Sequence, residues 1–354
     1  MKERLTRVIR NTPDFELSAW YAEPDEAIEN AEKLKADLIL VDIEEEKGLK
    51  GFDHLKRTFP KAAIICLSRQ WDSEEYARLI RAGASGYMIK PFTGAELTEA
   101  VKTFTRIHTG GRSEVITFFS PKGKSGKTTL VSNLAVAMAR KVNEPVAIID
   151  ADFQFGDQSV FLNLRPQSTI TEAIRDIEFL SPVTLKPYFV KVSENLHVLC
   201  GASKPEQVDV VTIDKFTSLI NMVKSLYGYV LIDMPSGFSD ITATACELST
   251  RTILMTMYNG GYEVVHMRRA LDIFRAWDDY EKRVELLFTR LVPGKENQEN
   301  FSQLMGYPVK YIIPNAYSLV SESADNGRLA INEDENDPFS RAVLAMADAL
   351  VAEK

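Results

Sequence analysis

The chain has 354 residues, 45% of them hydrophobic and 26% charged, with a formal net charge of −8. That balance is ordinary for a folded globular chain, the length accommodates two domains, and the acidic sign argues against gross electrostatic attraction to nucleic acid. No run approaches the eighteen or so apolar residues of a membrane span, the basic start Met1–Arg7 has no apolar signal segment after it, and Cys66, Cys200 and Cys246 stand too far apart for a zinc or disulfide framework. A cytoplasmic protein with small buried cysteines is expected.

Residues 1–107 alternate between apolar runs of two kinds. Leu5–Ile9 and Pro24–Leu34 read as helical, Phe15–Trp20 alternates like a strand, and Asp37–Asp42 and Ala62–Ser68 are buried strands ending in polar residues. Glu74–Ala82 is a helix stopped at Gly83, Gly86–Pro91 a short strand ending in Lys-Pro, and Gly94–Ile107 a closing helix. Strands alternating with helices predict a parallel sheet covered on both faces. Asp42, Ser68 and Lys90-Pro91 fall at strand ends, where such a sheet builds its site.

In this pattern the segment resembles a response-regulator receiver domain, a flavodoxin-like fold. The resemblance implies a phosphoacceptor at Asp42, a hydroxyl switch at Ser68 and a lysine at Lys90. The first strand and the acid pair that hold Mg²⁺ in receivers have no counterpart, which predicts a degenerate receiver used for docking, with genuine phosphorylation at Asp42 as the alternative. Glu44, Glu45 and Glu46 are a solvated acidic loop or an alternative cation site. Residues 108–114, with Gly110-Gly111, form the predicted linker.

The second domain, 115–354, opens with the apolar strand Val115–Phe119, the loop Pro121-Lys122-Gly123-Lys124-Ser125-Gly126-Lys127-Thr128-Thr129 and a helix from Leu130. Backbone N–H groups of such a loop surround a phosphate, Lys127 neutralises the β- and γ-phosphates, and the Thr128 hydroxyl completes a Mg²⁺ shell. Asp150 and Asp152 end the next strand, and Tyr229–Asp233 with Met234-Pro235-Ser236-Gly237 makes a second acidic motif. A carboxylate in these places orients water or holds a metal-bound water.

The loop resembles the deviant P-loop of the ParA/MinD superfamily. The resemblance implies that Lys122 crosses a dimer interface to the partner's nucleotide, that Asp152 lies near the attacking water and the metal, and that Asp233 holds a Mg²⁺-bound water. It also places Thr289, Arg290 and Pro314 beside the base. Lys124, where the family has Gly, and Thr289, where it has Asn, are departures. The final amphipathic helix, Pro338–Val351, lacks the basic face of a membrane-docking tail, so core packing is expected.

A degenerate receiver fused to this ATPase, with a Lys204-Pro205-Glu206 loop, resembles the CpaE/TadZ family of pilus-assembly proteins. That implies an α/β protein of two doubly wound sheets, and an ATP- and Mg²⁺-dependent homodimer with ATP at its interface. It also implies slow hydrolysis and a role in organising type IVb (Flp/Tad) pilus and secretion machinery at the inner membrane, often at a pole. Membrane contact would come through partners, and no nucleic acid is expected. The alternatives are a non-hydrolysing nucleotide-bound scaffold and a ParA-like positioning ATPase for other cargo. An iron–sulfur relative would need cysteines beside the second acidic motif, where only Cys246 is near.

Overall fold

The computed structural model describes residues 2–31, 34–44, 52–107, 113–202, 205–258, 261–292 and 297–354. Glu45 and Glu46, linker residues 108–112, and Ser203-Lys204 of the predicted loops therefore lie outside the described residues. Two compact units divide the chain: the first comprises 1–111, 176–186 and 221–226, the second 112–175, 187–220 and 227–354.

In the first unit, Leu38–Asp42 (β1), Ala63–Ser68 (β2) and Gly86–Ile89 (β3) form a parallel sheet in the order β1-β2-β3. β2 is buried along nearly its whole length because helices cover both of its faces. One core joins Val41, Ile64, Cys66 and Tyr87 to Phe52 and Leu55 of the helix Phe52–Thr58. The other joins Ile65, Leu67 and Met88 to Leu97 and Phe104 of the helix Gly94–Ile107 and to Leu5 and Ile9 of the helix Lys2–Arg10.

Two expectations are corrected here. Phe15–Trp20 alternates between half-buried and exposed positions, but it pairs with no strand among the described residues and is extended chain outside the sheet. Alternation reports two unlike faces and cannot supply a neighbouring strand. β1 is accordingly an edge, with Leu38, Ile39 and Leu40 only half-buried. The helix expected over Pro24–Leu34 ends at Glu29, where the Asn30 backbone and side chain both donate to the Glu26 carbonyl.

The first unit also takes in a segment from far along the chain. Ser181 caps the short helix Pro182–Leu185 with a reciprocal Ser181–Thr184 capping box. Val183 from that helix is buried in the cluster of Leu97, Ala100 and Phe104, and the Lys186 ammonium lies 2.6 Å from Glu99 and 2.6 Å from the Thr103 hydroxyl.

The second unit holds an eight-stranded sheet in the order β11-β10-β9-β4-β8-β5-β7-β6. Its strands are Glu114–Ser120 (β4), Val146–Asp150 (β5), Val190–Lys191 (β6), Leu196–Leu199 (β7), Tyr229–Ser236 (β8), Arg251–Met257 (β9), Val284–Leu291 (β10) and Val309–Pro314 (β11). Only β6 runs antiparallel. β4, β5 and the apolar part of β8 are continuous apolar runs, as strands covered on both faces require. The last helix, Pro338–Ala352, buries Phe339, Val343, Met346 and Leu350 in the same core as Leu134 and Met138 of the helix Lys127–Ala139. All three cysteines are buried free thiols, and no helix among the described residues is long and apolar enough to cross a membrane.

Val183→Ala is expected to lower the opening free energy of the β2 and β3 amides by about 2 kcal/mol, the cost of two buried methyls plus a small void. Native-state hydrogen exchange reads this directly, and unchanged protection in those strands would show Val183 to be a superficial contact.

Candidate nucleotide and metal site

The site lies at the carboxyl ends of β4, β8 and β5, three adjacent strands. β4 runs straight into the loop Pro121–Gly126, and Gly126 in the left-handed region at φ 81° turns the chain into the helix Lys127–Ala139. Lys124 also sits in the left-handed region, at φ 64°. A side chain there costs about 1–2 kcal/mol relative to glycine, which is the physical meaning of the departure seen in the sequence. The Ser120 hydroxyl donates to the Lys122 carbonyl at 2.7 Å and pins the start of the loop, leaving the Lys122 and Lys124 side chains exposed.

Lys127 is buried, and burial lowers its pKa, while the carboxylates of Asp233 and Asp152 act in the opposite direction. Asp150 and Asp233 are register partners on neighbouring strands and both are buried. Burial, with the negative charges of Asp233 and Asp152 nearby, pushes the Asp150 carboxyl well above its usual range against its two backbone hydrogen bonds. Burial likewise raises Asp233, against the pull of Gln158, Thr128 and Lys127.

Asp150 is walled in by backbone. Its carboxylate accepts from the Gln158 N–H at 3.0 Å and the Asp152 N–H at 3.3 Å. A Cβ on Gly156 would come within 2.6 Å of that carboxylate, and one on Gly201 would come within 2.8 Å of the Gly156 Cα. Glycine is therefore required at both positions for the chain to close over the acid. Asp152 shapes the next turn by accepting from the Gln154 and Phe155 N–H groups at 3.2 and 3.0 Å.

Gln158 was not singled out by sequence motifs. Fully buried, its Nε2 donates to Asp233 Oδ2 at 2.9 Å and reaches the Thr128 carbonyl at 3.4 Å, while its Oε1 faces the Ser132 hydroxyl at 2.8 Å. The other oxygen, Asp233 Oδ1, is buried without a hydrogen-bond partner. An unpaired carboxylate oxygen beside a threonine hydroxyl is a hard-oxygen donor set that fits Mg²⁺. Thr128 and Asp233 are the residues that would hold it, with Asp152 nearby.

A shallow cleft, open to solvent, adjoins the loop and is lined by Ser125, Gly126, Thr129, Thr289, Arg290 and Pro314. The Thr289 hydroxyl does not face this cleft as a free donor. It donates to the Ser125 carbonyl at 2.7 Å and ties β10 to the P-loop. Arg290 is exposed and sits at φ 57°. The structure thus brings the loop, Lys127, Thr128, Asp152 and Asp233 together, with Thr289, Arg290 and Pro314 along the adjoining cleft.

In the first unit, Lys90 Nζ lies 2.6 Å from Asp42 and 3.8 Å from Glu44, and Arg69 pairs with Glu44 at 2.7 Å. The Ser68 hydroxyl accepts from the Gln70 N–H at 3.5 Å. Among the described residues, the acids of this site, Asp42 and Glu44, are paired with cations.

Residues 1–102 match the response regulator receiver domain family, and residues 113–262 match an AAA domain family. The septum site-determining protein MinD of Synechocystis sp. is 26% identical over 62% of this chain and 83% of its own length. The transcriptional regulatory protein DegU of Brevibacillus brevis is 32% identical over 28% of this chain, a match that spans 44% of that regulator. Among solved structures, a ParA family ATPase from Chlorobium tepidum superposes with a TM-score of 0.62 at 17% identity, covering 67% of this chain and 98% of that one. A Pyrococcus horikoshii MinD complexed with Mg-ADP gives 0.58 at 20% identity, covering 67% and 96%. The protein joins an amino-terminal response-regulator receiver domain to an AAA domain of the ParA/MinD-like ATPase type.

Proposed function

We propose that the protein is a Mg²⁺-dependent ATP-binding switch that dimerises around ATP, hydrolyses it slowly, and organises type IVb (Flp/Tad) pilus and secretion machinery as CpaE/TadZ-type proteins do. The observation that carries the nucleotide reading is the convergence of the P-loop, buried Lys127 and the unpartnered Asp233 oxygen at the ends of β4 and β8. The relative solved with Mg-ADP supports the same ligand. Magnesium would supply charge neutralisation between the β- and γ-phosphates. The chain's own part is to hold the phosphates on the loop amides and Lys127, and to orient water with Asp152.

Exposure of Lys122 at the rim of the loop supports its role across a homodimer interface. Partners come from the pilus machinery, and membrane association comes through them. A cytoplasmic protein gathered at the inner-membrane face or pole is the corresponding location. One observation favours a second reading, a scaffold with ATP as a structural ligand: the hydroxyl of Thr289 is committed to the P-loop, so base recognition differs from the family's.

ATP turnover and solution mass, with and without Mg-ATP, separate the two. Asp152→Ala is expected to bind ATP while losing about two orders of magnitude in turnover, the usual worth of a positioned base; unchanged turnover counts against its role. Lys122→Ala is expected to remain monomeric under Mg-ATP where the natural protein doubles its mass, and a fixed mass in both would favour the scaffold. For the receiver, the docking reading predicts that acetyl phosphate adds no stable mass at Asp42, and a phosphoryl group mapped there would overturn that reading.

A further inference from the structure

We propose that Gln158 is the positioning residue of the metal site: its side-chain amide holds one oxygen of Asp233 so that the other remains free for the cation. This rests on the Mg-ATP reading above and extends it to a residue outside the acidic and P-loop motifs.

The amide has one workable orientation. Its NH₂ faces two acceptors, Asp233 Oδ2 at 2.9 Å and the Thr128 carbonyl at 3.4 Å, and its oxygen faces the Ser132 hydroxyl at 2.8 Å. Flipping it would set a carbonyl oxygen against a buried carboxylate. The amide therefore fixes which oxygen of Asp233 is consumed. The remaining one, Oδ1, is enclosed by protein without a hydrogen-bond partner, and its place beside Thr128 and the P-loop lysine is what makes it an acceptor suited to a cation. Supports of this kind orient a ligating oxygen as much as the ligating residue does.

Gln158 also links that oxygen to the loop that follows β5. It begins the short helix Gln158–Phe161 directly after the loop 151–157, and its backbone N–H donates to Asp150 at 3.0 Å. Gly156 must approach the same carboxylate for this bond to form. One residue thereby ties the loop 151–157, at Asp150, to the Asp233 carboxylate.

The test is fluorescent-ATP binding titrated with Mg²⁺ and repeated in EDTA, with melting of the nucleotide-free protein alongside. Gln158→Met keeps the side-chain length and removes the amide; Gln158→Asn keeps an amide one methylene too short and serves if the first variant does not fold. Both are expected to raise the half-saturating Mg²⁺ concentration about tenfold or more, with ATP affinity in EDTA within about twofold of the natural protein. Ser132→Ala disturbs the same cluster but leaves the donor to Asp233, and is expected to shift the Mg²⁺ midpoint by less than about twofold. A Gln158 variant with an unshifted Mg²⁺ midpoint overturns the proposal, as does an equal shift in Ser132→Ala, which would mark a packing effect. ATP binding by the natural protein that ignores Mg²⁺ altogether overturns the metal reading itself.

Discussion

Placing two carboxylates and an ammonium inside protein is the constraint on which the second unit depends. Asp150, Asp233 and Lys127 come from three adjacent elements and are all buried. Ions removed from water must be compensated by each other and by hydrogen bonds, or the site does not hold its charge. The glycines at 156 and 201 exist in this light to let backbone reach Asp150, and Gln158 exists to satisfy half of Asp233. What is left over, one ammonium and one carboxylate oxygen, is the polarity of a phosphate and its cation.

The opposite end of the sheet shows the contrasting solution. Arg251 on β9 contacts Glu114 at 2.6 Å and Glu285 at 3.2 Å, and also pairs with Glu353, while Lys310 bonds Glu285 at 2.9 Å and Glu353 at 2.7 Å. Charges there are matched side chain to side chain across β4, β9, β10 and β11, and the pairing fastens the end of the last helix to the sheet. That end of the sheet pairs its carboxylates with cations, one buried Glu285 oxygen excepted, whereas Asp233 is met by the neutral amide of Gln158. The same residue types are balanced by charge at one end and by amide donation at the other.

Much of this was legible in the sequence because the signals are local. A strand, a glycine–lysine loop and a helix are contiguous, and an apolar run ending in Asp reports both burial and the carboxyl end of a strand. The parallel sheets followed from alternation of strand and helix. Gln158 carried no such mark: glutamine is ordinary in sequence, and its importance comes from Asp233, seventy-five positions away. Thr289 was legible as a departure, but its bond to the Ser125 carbonyl depends on β10 lying near the P-loop. Phe15–Trp20 shows the converse, since a correct local pattern had no neighbour to pair with.

The capture of residues 176–186 by the first unit has a bearing on how such a chain evolves. Val183 completes an apolar cluster whose other members lie before residue 105, and Lys186 answers Glu99. A receiver exchanged as a cassette at the linker would arrive without its fitted plug, and the plug would meet a surface it was never shaped for. Substitutions in the helix Gly94–Ile107 and in residues 176–186 therefore act on one shared cluster.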